Sequence, residues 1–149
     1  MIALACDHGG FDLMKSVKAY LESADMEYKD FGTFSQKSCD YPVIAAPAVK
    51  AIADGNCDKG IFICGTGIGM SIAANKTPSI RAALCTNCYM AEMARSHNDA
   101  NVLVLGGRVI NSDTAIEIIK AFLGTNFSNK EKHCRRVAML NDLDEKRKE

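Results

Sequence analysis

Gly60-Ile61-Phe62-Ile63-Cys64-Gly65-Thr66-Gly67-Ile68-Gly69-Met70-Ser71 reads as a buried strand, a glycine-rich turn and the opening of a helix, with one thiol at the junction. Ile61-Phe62-Ile63 is a short apolar run that favours β structure. The three glycines after Cys64 let the chain turn sharply and aim successive backbone N–H groups at one point. A helix through Ser71-Ile72-Ala73-Ala74-Asn75-Lys76 follows, and a helix N-terminus offers unpaired donors and partial positive charge. The segment predicts a nucleophile or base facing an anion cradle; a tight turn around an inert buried cysteine is the structural alternative. A Walker loop is excluded because the third glycine is followed by Met70-Ser71 rather than Lys-Ser/Thr. The dinucleotide fingerprint needs its third glycine where Met70 stands, so neither ATP nor NAD is indicated.

Working outward, apolar runs of strand length alternate with segments of helical period, which is the pattern of an α/β domain with a helix-covered parallel sheet. Strands are expected over 2–6, 27–31, 60–64, 80–84 and 102–105, and helices over 11–24, 43–53, 69–76, 89–95 and 113–123. The segment 130–149 begins with a basic run, Lys130-Glu131-Lys132-His133-Cys134-Arg135-Arg136. It leads into Val137, Leu140 and Leu143 at helical spacing, which predicts a final amphipathic helix. In open parallel sheets ligands sit at the carboxyl ends of the strands, where the strand order reverses. Asp7-His8-Gly9-Gly10 follows the first strand and the Gly65 to Gly69 loop follows the third, so both border one crevice if those strands are neighbours. His97-Asn98-Asp99 precedes the fifth strand, and the same rule does not place it there.

The chain has 149 residues, enough for one domain (1–149) with a workable core. Lys+Arg 18 against Asp+Glu 18 leaves a formal net charge of +0, so no basic field recruits nucleic acid or an anionic membrane. Any anion site must be local. There is no long apolar span, and Met1-Ile2-Ala3-Leu4-Ala5-Cys6 runs straight into Asp7 and His8 without a basic-then-apolar leader; a cytoplasmic location is expected. The seven cysteines, an odd number, point to reduced thiols. Cys85-Thr86-Asn87-Cys88 has redox or zinc spacing but no second pair or histidine to complete a site, and a buried structural role is expected for most of the cysteines other than Cys64.

Five separated motifs then stand in one order: Cys6-Asp7-His8-Gly9-Gly10; Asp40-Tyr41-Pro42; Cys64-Gly65-Thr66-Gly67-Ile68-Gly69 with Ser71 through Lys76; Arg81-Ala82-Ala83; and Arg95 through Asn101. Together they resemble the RpiB/LacAB sugar-phosphate isomerase family. The resemblance covers residues 5–137. It implies a three-layer α/β/α, Rossmann-like sandwich with five parallel strands in the order 2-1-3-5-4 and a C-terminal helix. It also implies a cofactor-free and metal-free aldose–ketose isomerase for ribose 5-phosphate and ribulose 5-phosphate, acting in the non-oxidative pentose phosphate pathway as a homodimer or dimer of dimers.

By the same resemblance, Cys64 is the base that moves a proton between C1 and C2. Another branch of the family uses a glutamate where Met70 stands, and Met70 cannot take a proton. Thr66 is implied as a hydroxyl helper, His97 as the acid–base group that opens the sugar ring, and Asp7 as a contact to hydroxyls near the ring oxygen. The N–H groups of Gly65, Thr66, Gly67, Ile68 and Gly69 are expected to hold the enediolate. His8, Arg108, Lys132 and Arg136 are implied for the phosphate, with Asn98 as a further contact; Lys132 and Arg136 would come from the partner subunit. The family often has arginine at the position of Lys132, and lysine supplies a point charge rather than a fork, so Arg135 is a competing candidate. Alternatives are a galactose 6-phosphate or allose 6-phosphate isomerase, and a non-catalytic phosphate-ligand binding domain. The pairing of Cys64 with His97 argues against the last, because a binding module needs neither a base nor a ring-opening acid.

Overall fold

The computed structural model describes residues 1–146; the last three residues of the expected C-terminal segment, 147–149, lie outside the described residues. The chain runs β1 (Ile2–Cys6), α1 (Phe11–Ser23), β2 (Tyr28–Asp30), α2 (Tyr41–Ala53), β3 (Lys59–Cys64), α3 (Ile68–Ala74), β4 (Ala82–Leu84), α4 (Cys88–Asn98), β5 (Val102–Gly106), α5 (Ser112–Gly124) and α6 (Glu131–Lys146). The five strands form one parallel sheet in the order β2-β1-β3-β5-β4, as the resemblance implied.

Side chains alternate between the two faces of each strand, and both faces are buried. Leu4, Ile61, Ile63, Leu103 and Leu105 pack with Leu13, Val17, Ala91, Ala94, Ile118 and Phe122 of α1, α4 and α5. Ala3, Ala5, Phe62, Val102 and Val104 pack with Ala45, Ala48, Val49 and Met70 of α2 and α3. Three layers result, and Phe62 and Phe122 are fully enclosed on opposite sides.

Several boundaries differ from the periodicity, each for a local reason. β4 starts at Ala82 rather than residue 80, because the Ile80 N–H turns back to the Thr77 carbonyl and the Arg81 N–H donates to Asn101 Oδ1. α2 starts two residues early, at Tyr41, with Pro42 in the first turn, where its missing N–H leaves no bond unmade. Only Lys130 of the basic run precedes the last helix; α6 opens at Glu131 and contains the rest of the run. Met139, Leu140 and Leu143 stay exposed on α6, whose buried residue is His133.

All seven cysteines are free. Cys6, Cys57 and Cys85 are buried as expected, but Cys39 and Cys88 are half-buried and Cys134 is exposed. Burial pushes the Cys6 thiol up to about 12 and the Cys85 thiol up to about 11, so both are neutral core groups.

Candidate active site

Three loops meet at the carboxyl edge of β1, β3 and β5. The Asp7 N–H donates to the Ile63 carbonyl at 3.1 Å, the Gly107 N–H to the Cys64 carbonyl at 2.8 Å, and the Arg108 N–H to the Gly65 carbonyl at 2.9 Å. Their backbones touch: a Cβ on Gly9 would stand 2.8 Å from the Gly65 nitrogen, and one on Gly107 would stand 2.5 Å from the Gly9 carbonyl oxygen. Only glycine permits this approach.

Asp7 is buried, and its Oδ1 accepts from the Gly9 and Gly10 N–H groups at 2.8 and 3.2 Å. The turn role expected for Asp7 falls to Oδ1. His8 accepts the Cys39 N–H at Nδ1, at 3.3 Å, which puts the ring proton on Nε2. The Arg108 guanidinium lies against Gly65, with Nη1 3.1 Å from where a Cβ would stand.

Cys64 is 4% exposed at the end of β3, and its Sγ accepts the Gly67 N–H at 3.2 Å. Gly67 itself is left-handed, φ 80°, and from there the chain enters α3. The Ile68 N–H donates to Thr66 Oγ1 at 3.3 Å. Two of the five amides expected to cradle an oxyanion are therefore directed inside the loop, one of them at the thiol itself. Met70 is fully buried in the core beneath α2, in keeping with a residue that carries no proton. The Tyr41 ring covers Gly69, where a Cβ would lie 2.6 Å from Cζ; its motif was visible in the sequence, but no role had been attached to it.

The other expected residues lie elsewhere. His97 and Asn98 end α4, and both are exposed. The His97 ring packs on His133 of α6 with centroids 4.2 Å apart and planes tilted by 33°. His133 Nδ1 pairs with Ser128 Oγ at 2.5 Å. Burial first, and then the positive neighbours His97, Lys132, Lys130 and Arg136, hold the His133 imidazole below the ordinary histidine value. Neither His133 nor Ser128 could be assigned from the sequence, where His133 reads as one more member of a basic run. Lys132, Arg135 and Arg136 are exposed on α6, and Asn98 and Arg136 line one open cleft of about 500 Å³ with Met139, Leu140 and Leu143.

These residues do not form one site within a chain. Register pairs Gly60 with Val102 at the amino edge of the sheet and Cys64 with Gly106 at the carboxyl edge. Four steps of about 3.3 Å separate those levels by about 13 Å. Asp7, His8, the Cys64 loop and Arg108 sit at the carboxyl edge; His97 and Asn98 sit just before Val102, at the amino edge. The two groups of residues therefore lie at opposite ends of one sheet. Among the described residues, no group of three or more His, Cys, Asp or Glu side chains could hold a metal ion. No described helix is long and apolar enough to cross a membrane.

Residues 2–140 match the sequence profile of the ribose/galactose isomerase family. The chain belongs to that family. Among members of the ribose/galactose isomerase family, it is 42% identical over 146 residues to ribose-5-phosphate isomerase B of Escherichia coli, covering 98% of this chain and 97% of that one. A solved structure of ribose-5-phosphate isomerase B from Clostridium thermocellum superposes with a TM-score of 0.96 at 45% identity, over 98% of each chain. A ribose 5-phosphate isomerase structure from Thermotoga maritima gives 0.92 at 48% identity, over 95% of this chain and 97% of that one.

Proposed function

We propose that this member of the ribose/galactose isomerase family interconverts ribose 5-phosphate and ribulose 5-phosphate, with each active site assembled from the carboxyl-edge half-site of one chain and the amino-edge half-site of a second. The observation that carries the reading is the enclosed Cys64 Sγ, held by the Gly67 N–H and bordered by the Asp7–His8 and Arg108 loops. The identity to ribose-5-phosphate isomerase B over nearly the whole chain supports the substrate.

Ribose 5-phosphate is mostly a closed ring, so His97 of the second chain first moves a proton between the ring oxygen and the anomeric hydroxyl; histidine suits both directions of that transfer. Cys64, as thiolate, then takes the proton from C2, next to the aldehyde carbonyl. The electrons of the broken C–H bond form the enediolate, and the thiol returns the proton to C1 as the hydroxyl proton passes between O2 and O1. The Gly67 amide donates to Sγ and fixes the sulfur at the sheet edge. Thr66 and the loop amides not turned inward face the enediolate oxygens; loss of one such donor typically costs about 10²–10³ in rate. Asp7 Oδ2 meets the sugar hydroxyls. The phosphate is held by His8 Nε2–H and Arg108 of one chain and by Lys132 and Arg136 of the other, with Asn98 beside them.

The sequence forms one domain, whose C-terminal segment contributes to the neighbouring site in a homodimer or dimer of dimers. Seven free thiols suit the reducing cytoplasm. The test is a coupled assay on ribose 5-phosphate with excess chelator, set against galactose 6-phosphate and allose 6-phosphate. Chelator-resistant turnover with the highest kcat/KM on ribose 5-phosphate is expected; a higher kcat/KM on either hexose phosphate overturns the substrate, and no turnover on any of them overturns the reaction.

A further inference from the structure

The corner carrying His97 and Asn98 is held from behind by Arg81, to which the mechanism above gives no task. Arg81 immediately precedes β4, and its side chain is 20% exposed. Nε donates to the Asn98 carbonyl at 2.9 Å and to the Asp99 carbonyl at 3.1 Å; Nη2 donates to the Asp99 carbonyl at 2.9 Å and to Asp99 Oδ2 at 3.2 Å. Nη1 reaches Asn141 Oδ1 on α6 at 3.3 Å. One planar cation thus ties the end of α4 to the helix that carries Lys132 and Arg136.

Asp99 completes the arrangement. It caps α4 in the left-handed region, φ 46°, which ends the helix directly after Asn98. Its other oxygen, Oδ1, accepts Arg95 Nη1 at 2.9 Å. Arg95 is buried and also donates to the Ala100 carbonyl at 2.6 Å and the Thr125 carbonyl at 3.3 Å. Two guanidiniums therefore share one carboxylate, and charge-assisted, forked bonds of this kind fix orientation more tightly than a lysine can. His97 and Asn98, by contrast, project into solvent from this corner.

We propose that Arg81 and Asp99 are positioning residues for the donated half-site: they set the His97 ring and the Asn98 side chain relative to Arg136, so that ring opening and phosphate contact occur in one geometry. The inference rests on the shared-site reading above. A displacement near 1 Å at a reacting group can cost about 10² in rate, and Arg81→Lys, which keeps the charge but loses the fork, is expected to lower kcat on ribose 5-phosphate by about that factor.

Subunit mixing tests it. As a control, Cys64→Ala and His97→Asn chains are exchanged; they injure opposite half-sites, and random pairing should restore about a quarter of wild-type activity. Arg81→Lys should recover likewise with Cys64→Ala and should not recover with His97→Asn, since both would then injure the same half. Asp99→Asn, which suits a left-handed residue but places an amide N–H₂ against a guanidinium, should behave as Arg81→Lys does and serves if the latter fails to fold. Recovery of Arg81→Lys with His97→Asn, or a wild-type kcat in Arg81→Lys and Asp99→Asn, overturns the inference while leaving the shared site intact. Failure of the control pair overturns the shared site and the inference together.

Discussion

The amide of Gly67 donates to the Sγ of Cys64 at 3.2 Å. Strand, turn and helix onset meet at this one contact: β3 delivers the sulfur to the sheet edge, the turn through Gly65 and Thr66 brings the Gly67 N–H back to it, and a positive φ at Gly67 leads the chain into α3. A side chain at residue 67 would resist that φ and strain the turn that presents the donor.

Replacing Cys64 by alanine should lower kcat by at least about 10³, the upper range for loss of a positioned base, while leaving sugar-phosphate binding nearly unchanged. Calorimetric titration with ribose 5-phosphate beside steady-state kinetics separates the two quantities. Near-normal turnover would remove Cys64 from the chemistry.

Gly67→Ala combines an unfavourable φ with crowding, since the new Cβ would stand 2.5 Å from Leu84 Cδ1 and 3.0 Å from the Leu105 carbonyl carbon. Gly55 has nearly the same φ, +79° against +80°, and nothing within 4 Å of a built Cβ. Gly55→Ala should cost about 1–2 kcal/mol, the strain alone, and Gly67→Ala clearly more, with a loss of kcat besides. Urea unfolding of the two variants side by side makes the comparison; equal destabilisation would mean that Leu84 and Leu105 yield without cost.

His133 makes stability depend on pH. Its folded value lies below the reference 6.5 because of burial and then of neighbouring positive charge, so the unfolded chain binds the proton first as pH falls. The contribution is fully present above about 6.5 and is lost as pH drops from there through the depressed folded value. Urea midpoints measured from about pH 8 to pH 5 should fall more steeply for the wild type than for His133→Phe, which carries no proton. Parallel slopes would exclude His133 as the source.

Arg136→Ala should act mainly on KM, raising it about 10- to 100-fold, the worth of one charge-assisted bond to phosphate. Because Arg136 and Cys64 are assigned to different chains of one site, exchange with Cys64→Ala chains should restore turnover. Inactivity in fully exchanged mixtures would mean that each chain holds a complete site.

The carboxyl-edge half-site was legible because its residues are adjacent in sequence to strands whose apolar runs are unmistakable. Asp7 and His8 follow Cys6, and the cradle follows Cys64, so strand position alone carries them to the crevice. The amino-edge half-site was not legible in the same way. The end of α4 and the basic run come together through the packing of α6, as the contact of His97 with His133, with Ser128 behind it, and the cleft shared by Asn98 and Arg136 show. Arg81 gave still less signal. A lone arginine before a three-residue strand carries no periodicity, and its five side-chain hydrogen bonds reach residues 17 to 60 positions away.

On the shared-site proposal, the placement of the two residue groups at opposite sheet edges also restricts how copies can associate. A head-to-tail contact would match one pair of halves and leave another pair open, so each added chain would extend a filament with unfilled ends unless the rotation closed it into a ring. Pairing about a two-fold axis satisfies donor and acceptor on both chains at once and stops there. For a protein built this way, the symmetry of the assembly and the number of working catalytic centres are one quantity.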